Sequence, residues 1–392
     1  MVARPDMLAL TADRLFTPIE DLAHPLVLIE NGHIVEVTTA EARAIPQGAR
    51  QVALPGCVLA PGFVDLHIHG GAGHDVMEND ASGLSAIETL LARHGVSSYF
   101  PTTVTAPEDV TLRALDRLAG AIEQAATDAE LPGARPLGIH LEGPFLSHTR
   151  RGVHLPGDLQ LPTVEGFERY WQAARGQIRM MTIAPELGGA LEVIAEAARR
   201  GVCVSLGHSD ADFAATIQGV DAGARHATHT FNAMRALGHR DPGILGAVLT
   251  DARVSADIIA DGIHLDPAIV RLFLKMKGPE QSVLITDAIS ATGMPDGRYR
   301  LGPLEVEVKE GRCLSNGSLA GSVLTMDRAV RNVMAFADWS LMGAVRLATL
   351  NPAIAAGIGA QSGRLVPGAP ADVTVLSPNG EVLQTILRGR MA

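Results

Sequence analysis

The sequence contains little cysteine and lysine and no long hydrophobic run. Its three cysteines, Cys57, Cys203 and Cys313, form no C-x-x-C pair. This excludes a disulfide framework and a thiolate zinc site, and it favours a reducing compartment. No uninterrupted apolar run approaches the roughly 18 residues of a membrane-spanning helix, and the first residues show no signal-peptide pattern. We therefore expect a cytoplasmic protein with no membrane partner.

The chain also lacks a concentration of positive charge. Asp and Glu number 43 against 32 Lys and Arg, which gives a formal net charge of -11. Nucleic-acid binding needs a stripe of clustered Lys and Arg to hold phosphates, and no such stripe is present. We therefore expect no nucleic-acid partner.

What the sequence does contain is a regular alternation of short apolar runs and longer helix-like segments. Strands that alternate with helices indicate parallel βαβ units, and eight such strands indicate an α/β fold of the (β/α)8 TIM-barrel type. The alternative is an open doubly wound sheet, but no G-x-G-x-x-G loop supports it. The predicted strands are residues 62–67, 97–102, 137–142, 179–184, 202–208, 226–231, 253–260 and 283–287, and the predicted helices include 81–94, 110–126, 190–200 and 266–276.

The two ends of the chain show a different pattern, with short β-like segments separated by turn residues. Residues 25–30 and 33–37 flank the Asn31-Gly32 turn, and a similar pair of segments lies near the C-terminus. Such hairpin signals predict a small β-sandwich domain built from both termini. We expect this domain to comprise residues 1–60 and 361–392, and the barrel to comprise 61–360. A further β-like insert at 293–318 should cover one mouth of the barrel.

Metal-ligand side chains stand at the ends of five predicted strands. In barrels of this type the active site lies at the carboxyl ends of the strands. Histidine nitrogens and carboxylate oxygens are the ligands of Zn²⁺ and Fe²⁺. Two histidines at positions i and i+2 share one face of a strand, as at the end of the first strand. The candidate residues are His67, His69, Glu142, His208, His229 and Asp287.

The scarcity of lysine limits the kind of metal site. Many two-metal hydrolases of this architecture bridge their ions with a carbamylated lysine at a strand end. The only lysines are Lys275, Lys277 and Lys309; the first two end a predicted helix and the third lies in the late insert. Glu142 is then the carboxylate available to bridge two ions.

Several motifs resemble a known enzyme family. The segment from Gly62 to His69, GFVDLHIH, and the late GAPAD turn are similar to the amidohydrolase superfamily. Within it, five segments resemble the N-acetylglucosamine-6-phosphate deacetylase family, and the resemblance covers essentially the whole chain. These are HLEGPF at 140–145, THTFNAM at 228–234, DGIH at 261–264 and ITDA at 285–288, joined by LAGS at 319–322. The resemblance implies the barrel with a small β domain.

The resemblance also implies roles for individual residues. Glu142, His208 and His229 would bind the main catalytic ion, Zn or Fe, and His67 and His69 permit a second ion shared through Glu142. Asp287 would be the general base and acid, and His154 would contact the acetyl carbonyl. The substrate would be held by Arg240 and His264 at its phosphate, by the main-chain amides of Asn232 and Ala233, and by Leu319 at the sugar.

The activity implied by the resemblance is hydrolysis of N-acetylglucosamine 6-phosphate to glucosamine 6-phosphate and acetate, in amino-sugar catabolism and cell-wall sugar recycling. A homodimer is implied as well, because in related enzymes a neighbouring subunit completes the phosphate site. The alternatives are a related amidohydrolase that acts on N-acetylgalactosamine 6-phosphate or another N-acyl substrate, and a barrel that has lost catalysis and serves in binding. The last should lack ligands or the acid–base residue, and all of these are present.

Overall fold

The structure is a computed structural model that describes residues 7–17, 19–78, 80–128 and 132–392. Among these residues, no helix is both long enough and apolar enough to cross a membrane. The described chain folds into a barrel, a sheet formed by the two ends of the chain, and a smaller inserted sheet.

Eight parallel strands form the barrel, in the same order as in the sequence. A bridge between Ile68 and Ala288 connects the first strand to the residues that follow the eighth. The buried Asp65 strengthens this seam, because it accepts hydrogen bonds from the hydroxyl and main-chain N–H of Thr286. The predicted TIM-type barrel is therefore confirmed. Its strands are Phe63–Ile68, Val96–Thr103, Ile139–Glu142, Ile178–Ile183, Cys203–Leu206, His226–Ala227, Ser255–Ile259 and Ser282–Ile285.

Helices cover the outside of the barrel, and the four predicted ones are present with similar bounds. Three of the helices begin at an aspartate whose side chain accepts a main-chain N–H of the first turn: Asp80, Asp212 and Asp266. Such caps satisfy donors that the helix itself leaves free. The helices are Ala81–Arg93, Glu108–Thr127, Val164–Ala173, Ala190–Arg199, Phe213–Ala222, Gly243–Thr250, Pro267–Gln281, Met326–Ala337, Leu341–Leu347 and Leu350–Ala355, with a 3₁₀ turn at Pro156–Asp158.

The ends of the chain form one eight-stranded sheet, which confirms a separate β unit built from both termini. The first strand, Met7–Phe16, runs parallel to Arg50–Pro61, and the C-terminal strand Val373–Leu376 pairs antiparallel with the end of Arg50–Pro61. Apolar side chains from both ends of the chain share one core, including Leu10 and Val375. The remaining strands are Asp21–Ala23, Pro25–Glu30, His33–Thr39, Val382–Leu387 and Arg390–Met391.

The predicted β insert forms a four-stranded antiparallel sheet of its own. Its strands are Gly297–Leu301, Leu304–Lys309, Arg312–Ser315 and Ser318–Leu319. Leu301 and Leu319 line a cavity together with residues at the carboxyl ends of the barrel strands. The insert therefore lies at the mouth where we expect the active site. Three two-residue strands, Gly70–Gly71, His74–Asp75 and Arg135–Pro136, complete the strands of the described chain.

The fifth and sixth barrel strands are shorter than the sequence pattern predicts. They end at Leu206 and Ala227 instead of at residues 208 and 231. The reason is a change of backbone conformation, because His208 and His229 have φ angles of 46° and 28°. A positive φ cannot continue a strand and is uncommon for residues other than glycine.

The buried Glu88 of the first helix gives the fold a testable pH dependence. Its carboxylate accepts a hydrogen bond from the hydroxyl of Tyr99, and burial raises its pKa to about 7. The folded protein therefore keeps a proton that the unfolded chain loses near its ordinary pKa of 4.5. The contribution of Glu88 to the free energy of unfolding is therefore fully present below pH 4.5 and is lost as the pH rises through about 7.

Replacing Glu88 by Gln should remove the cost of ionising a buried carboxyl group at high pH. The glutamine would still offer an oxygen to the hydroxyl of Tyr99. We expect Glu88→Gln to raise the free energy of unfolding by about 2–3 kcal/mol at pH 8 and by little at pH 4. Denaturant unfolding at both pH values measures the difference. Glu305→Gln, at an exposed position of the insert, is the control and should change neither value. An equal effect of Glu88→Gln at both pH values would contradict the assignment.

Candidate metal centre and active site

The residues predicted to bind metal meet at the carboxyl end of the barrel. All of them except the fully buried His67 line a cavity of about 190 Å³. His208, His229 and Asp287 each lie two residues beyond the end of their strand, and each has a positive φ, 46°, 28° and 51°. This shared conformation turns the chain out of the strand direction at the mouth. Strained backbone of this kind is concentrated at functional sites.

Glu142, the last residue of the third strand, lies at the centre of the cluster. Its side chain is only 3% exposed, and histidine nitrogens surround both of its oxygens. Oε1 lies 3.2 Å from Nε2 of His229, 3.3 Å from that of His208 and 3.5 Å from that of His67; Oε2 lies 3.4 Å from Nε2 of His69 and 3.6 Å from that of His154.

Asp287 approaches the same cluster from the eighth strand. Its Oδ1 lies 3.2 Å from Nε2 of His69 and 3.6 Å from Nε2 of His67. Its own N–H donates to the carbonyl of His67, and its carbonyl accepts from Ser322. The main chain of Asp287 is thus held on both sides, and the residue borders the cavity.

The spacing of these atoms suits divalent metal ions. Ligands at about 2.0–2.1 Å from a tetrahedral ion lie about 3.3 Å from one another, and the distances within the cluster are close to this value. Two groups of three buried side chains have ligand atoms within 4.8 Å of one another: His67, His69 and Asp287, and Glu142, His154 and His208. Nε2 of His229 adds to the second group, 3.0 Å from Nε2 of His208.

Hydrogen bonds on the far side of the rings distinguish His154 from His69 and His208. Nδ1 of His69 and Nδ1 of His208 each face a main-chain carbonyl at 3.0 Å, so in the neutral rings Nδ1 carries the proton and Nε2 offers its lone pair. Nδ1 of His154 instead accepts from the N–H of Thr105 at 3.3 Å. Neutral His154 therefore has its proton on Nε2 and presents a donor to the cavity.

The electrostatics of the cluster favour a bound cation. Burial alone would lower the pKa of His69 and His229, but the carboxylates of Glu142 and Asp287 raise these pKa values to about 10 and about 9. For His208 burial dominates and lowers the pKa to about 4. Although burial opposes ionisation, the histidines hold the pKa of Glu142 well below its usual range and lower that of Asp287 to about 2. Two buried carboxylates thus create a negative potential that a divalent ion would neutralise.

A buried carboxylate beneath the cluster supports His229, and the sequence analysis did not identify it. Asp257 accepts a hydrogen bond from the main-chain N–H of His229, and its other oxygen lies 2.9 Å from Nε2 of His226. Asp257 therefore helps to hold the left-handed backbone that places His229. The available signal was a single aspartate within the apolar seventh strand, Ser255–Ile259, where an unpaired charge would be costly.

A second supporting residue is His140, on the third strand. Its Nδ1 lies 3.0 Å from the carbonyl of Leu66, and its Nε2 lies 2.8 Å from the hydroxyl of Thr182. Burial holds its pKa well below the usual range, so the ring is neutral. It packs edge-on against His67, with 4.7 Å between ring centroids, and thereby fixes the orientation of that ring.

The predicted substrate residues divide into two sets. Asn232, Ala233, His264 and Leu319 line the cavity, together with His154. The main-chain N–H of Asn232, however, donates to the carbonyl of His229 at 2.9 Å. This amide is therefore engaged within the chain, whereas the amide of Ala233 makes no hydrogen bond with the described residues.

Arg240 lies outside this set. Its side chain is exposed and does not line the cavity of its own chain. The neighbouring Asp241 pairs with Arg235 at 2.5 Å, and Arg240 has no ion pair among the described residues. The structure thus brings every predicted metal and catalytic residue together but leaves Arg240 at the surface.

Comparisons with known proteins agree with this geometry. Residues 58–392 match the Amidohydrolase family. The chain is 36% identical over 381 residues to an N-acetylglucosamine-6-phosphate deacetylase of Bacillus subtilis, covering 96% of this chain and 95% of the relative. It is 39% identical over 336 residues to an N-acetylgalactosamine-6-phosphate deacetylase of Escherichia coli O157:H7, covering 86% and 88%.

A solved structure shows the same fold at similar identity. It is a mutant N-acetyl-D-glucosamine-6-phosphate deacetylase from Mycobacterium smegmatis in complex with N-acetyl-D-glucosamine-6-phosphate. The match has a TM-score of 0.91 at 37% identity and covers 98% of this chain and 99% of that one. The chain therefore belongs to the amidohydrolase family, in the branch of the N-acetylglucosamine-6-phosphate deacetylases.

Proposed function

We propose that the protein is a metal-dependent deacetylase that hydrolyses N-acetylglucosamine 6-phosphate to glucosamine 6-phosphate and acetate. The observation that carries this proposal is the arrangement in one cavity of the Glu142 cluster, the carboxylate of Asp287 and the Nε2–H donor of His154. Amide hydrolysis needs these three functions: activation of water, transfer of its proton, and stabilisation of the oxyanion. The similarity to named deacetylases supports the choice of substrate.

The proposed ligands of the main ion are Glu142, His208 and His229. His67 and His69 would hold a second ion that shares Glu142, so each subunit would bind one or two ions of Zn or Fe. These donors suit either metal because imidazole nitrogen and carboxylate oxygen ligate both. When bound, such an ion polarises a carbonyl and makes water more acidic.

The proton transfers in this reaction belong to Asp287. Its carboxylate would accept a proton from the attacking water and later donate it to the nitrogen of the departing amine, so that the C–N bond breaks with a neutral leaving group. His154 would donate its Nε2–H to the acetyl oxygen as negative charge develops there. Its Nδ1 contact with Thr105 holds the ring in the required tautomer.

The sugar phosphate would be held at the rim of the cavity. His264, whose Nδ1 lies 2.7 Å from Asp261, would face the phosphate together with the free amide of Ala233, and Leu319 would contact the sugar. Arg240 is exposed in its own chain, and in the homodimer that the resemblance implies it would reach the neighbouring site. Asn232 lines the cavity, but its main-chain N–H and its side-chain amide both donate to the carbonyl of His229.

We also propose a place for the reaction in amino-sugar catabolism and cell-wall sugar recycling in the cytoplasm. The three cysteines are free thiols, in keeping with a reducing compartment. The 39% identity to an N-acetylgalactosamine-6-phosphate deacetylase supports the 4-epimer as a second candidate substrate. Comparison of kcat/KM for the two phosphorylated epimers decides between them.

Removal of one proposed ligand should remove the metal. We expect His229→Ala to bind Zn²⁺ at least about tenfold more weakly than the unchanged protein, because the buried Glu142 loses its nearest histidine. Metal content after dialysis, measured by mass spectrometry, tests this. His33→Ala, at an exposed histidine of the terminal sheet, is the control and should keep the metal. Full occupancy in His229→Ala would refute the ligand assignment.

Replacement of the proposed acid–base residue should abolish turnover without removing the metal. We expect Asp287→Asn to lower kcat by about 10²- to 10⁴-fold, because an amide accepts no proton from water. The metal content should stay unchanged. Acetate release from N-acetylglucosamine 6-phosphate measures the effect, and a variant with more than a tenth of the original kcat would overturn this role.

Replacement of the exposed Arg240 should weaken binding of the substrate through its phosphate and leave the chemical step almost unchanged. We expect Arg240→Ala to raise KM for N-acetylglucosamine 6-phosphate by about 10- to 100-fold, the usual value of a hydrogen bond to a charged group. The kcat should stay within a few-fold of the original, because Arg240 lies away from the reacting atoms. Arg43→Ala, at an arginine paired with Glu36 in the terminal sheet, should leave KM unchanged. An unaltered KM in Arg240→Ala would mean that other groups hold the phosphate.

A further inference from the structure

A second large cavity lies at the opposite end of the barrel from the catalytic cluster. Its volume is about 500 Å³, and its lining includes Leu137 and Gln177. These residues directly precede the third and fourth strands, which begin at Ile139 and Ile178. Arg388, next to the terminal strand Val382–Leu387, closes the cavity from the side of the terminal sheet. The cavity therefore lies between the amino ends of the barrel strands and the terminal sheet.

Three arginines line this cavity: Arg135, Arg179 and Arg388. Arg135 is 7% exposed, and its guanidinium donates to the carbonyls of Ala125 and Asp128. Arg179 makes no hydrogen bond or ion pair with any described residue. The Nε of Arg388 is buried and also has no partner within the described chain. An unpartnered buried donor is costly in a folded protein, so an acceptor from outside would be favoured here.

The carboxylates nearby offset part of this positive charge, because Asp372 and Asp128 act on Arg135, and Arg388 acts on Asp372. None of them forms an ion pair with Arg179 or Arg388 within the described part of the chain. Glu123 is the carboxylate among the described lining residues, and it lies 2.9 Å from Arg175 on the outer surface. Asp372 is buried and accepts the main-chain N–H of Arg388. Glu88, which is buried near Arg135, accepts a hydrogen bond from Tyr99.

The arginines themselves repel one another. Burial, and then the charge of Arg388, lower the pKa of Arg135. Most other arginines with described contacts pair with a carboxylate, as Arg175 does. Arg388 has a φ of 47° and lies in the two-residue turn between the strands Val382–Leu387 and Arg390–Met391. Arg135 and Arg388 are thus two like charges close together, and Asp372 and Asp128 offset part of their repulsion.

The rest of the lining indicates what kind of anion would fit. Ile122, Leu137 and Ile358 form an apolar wall, and Gln177 and Gln361 add side-chain amides. The volume is in the range of small-molecule sites, about 300–1,000 Å³. The planar fork of arginine matches the oxygens of a phosphoryl group, which carries enough charge to satisfy two guanidinium groups.

We propose that this cavity is a binding site for a small phosphorylated organic molecule, held by Arg179 and Arg388 at its phosphate and by the apolar wall at its remaining part. This site is separate from the catalytic cavity, and the proposal does not depend on the proposed deacetylase activity. Because the ligand would contact both the barrel and the terminal sheet, its binding would stabilise the folded protein.

The test is calorimetric titration of the full chain with pyrophosphate, glucose 6-phosphate and ADP. Arg179→Met and Arg388→Met remove the guanidinium and keep an apolar stem of similar length. Arg179 packs its stem against Gly138, so methionine should preserve that contact. Arg113→Met removes an exposed arginine that pairs with Asp109 and controls for the change of net charge.

We expect at least one of the three anions to bind the unchanged protein and Arg113→Met equally. Its Kd should rise at least about tenfold in each of Arg179→Met and Arg388→Met. Addition of this anion should raise the melting temperature only of those proteins that bind it. Two results would overturn the proposal. One is the absence of binding by all three anions at about 1 mM; the other is an unchanged Kd in both variants, which would place the anion in another cavity.

Discussion

The contact of one buried carboxylate, Glu142, with the histidines around it is the interaction on which the rest of the site depends. An ionised group inside a protein is stable only when opposite charge or hydrogen bonds surround it. Glu142 meets this requirement through histidines that come from the first, fifth and sixth strands and from the loop that carries His154. The barrel must therefore close accurately, and Asp65 joins the first strand to Thr286 just beyond the eighth. The contacts that close the barrel therefore also bring the residues of the metal centre together.

The same constraint explains the unusual backbone at the mouth of the barrel. His208, His229 and Asp287 have left-handed conformations at equivalent places, two residues beyond their strands. Such conformations cost free energy, and surrounding contacts offset this cost. Asp257 accepts the N–H of His229, and the carbonyl of His67 accepts the N–H of Asp287. The cluster is therefore held in place by the protein, and the carbonyl and amide partners of the rings decide which histidine offers a lone pair and which offers a proton.

Much of this architecture could be predicted from the sequence, because parallel barrel strands are apolar runs that end in polar residues. The eight strands and the meeting of Glu142 and Asp287 with the histidines follow from that pattern. The left-handed ends of the fifth and sixth strands could not be predicted, since local preference favours continued strands there and contacts such as that of Asp257 override it. The proton position on His154 depends on Thr105, which is distant in sequence. The cluster of Arg179 with Arg388 joins residues more than 200 positions apart, and no local pattern signals it.

In the proposed reaction, a metal ion bound by the Glu142 cluster serves hydrolysis of a phosphorylated N-acetyl sugar. The most direct measurement is acetate release by metal-analysed protein from N-acetylglucosamine 6-phosphate and from N-acetylglucosamine, before and after treatment with a chelator. We expect rapid turnover of the phosphorylated sugar alone, its loss on chelation, and its recovery when Zn²⁺ or Fe²⁺ is returned. Turnover that persists after complete removal of metal, or no turnover by protein with a full complement of metal, would contradict this proposal.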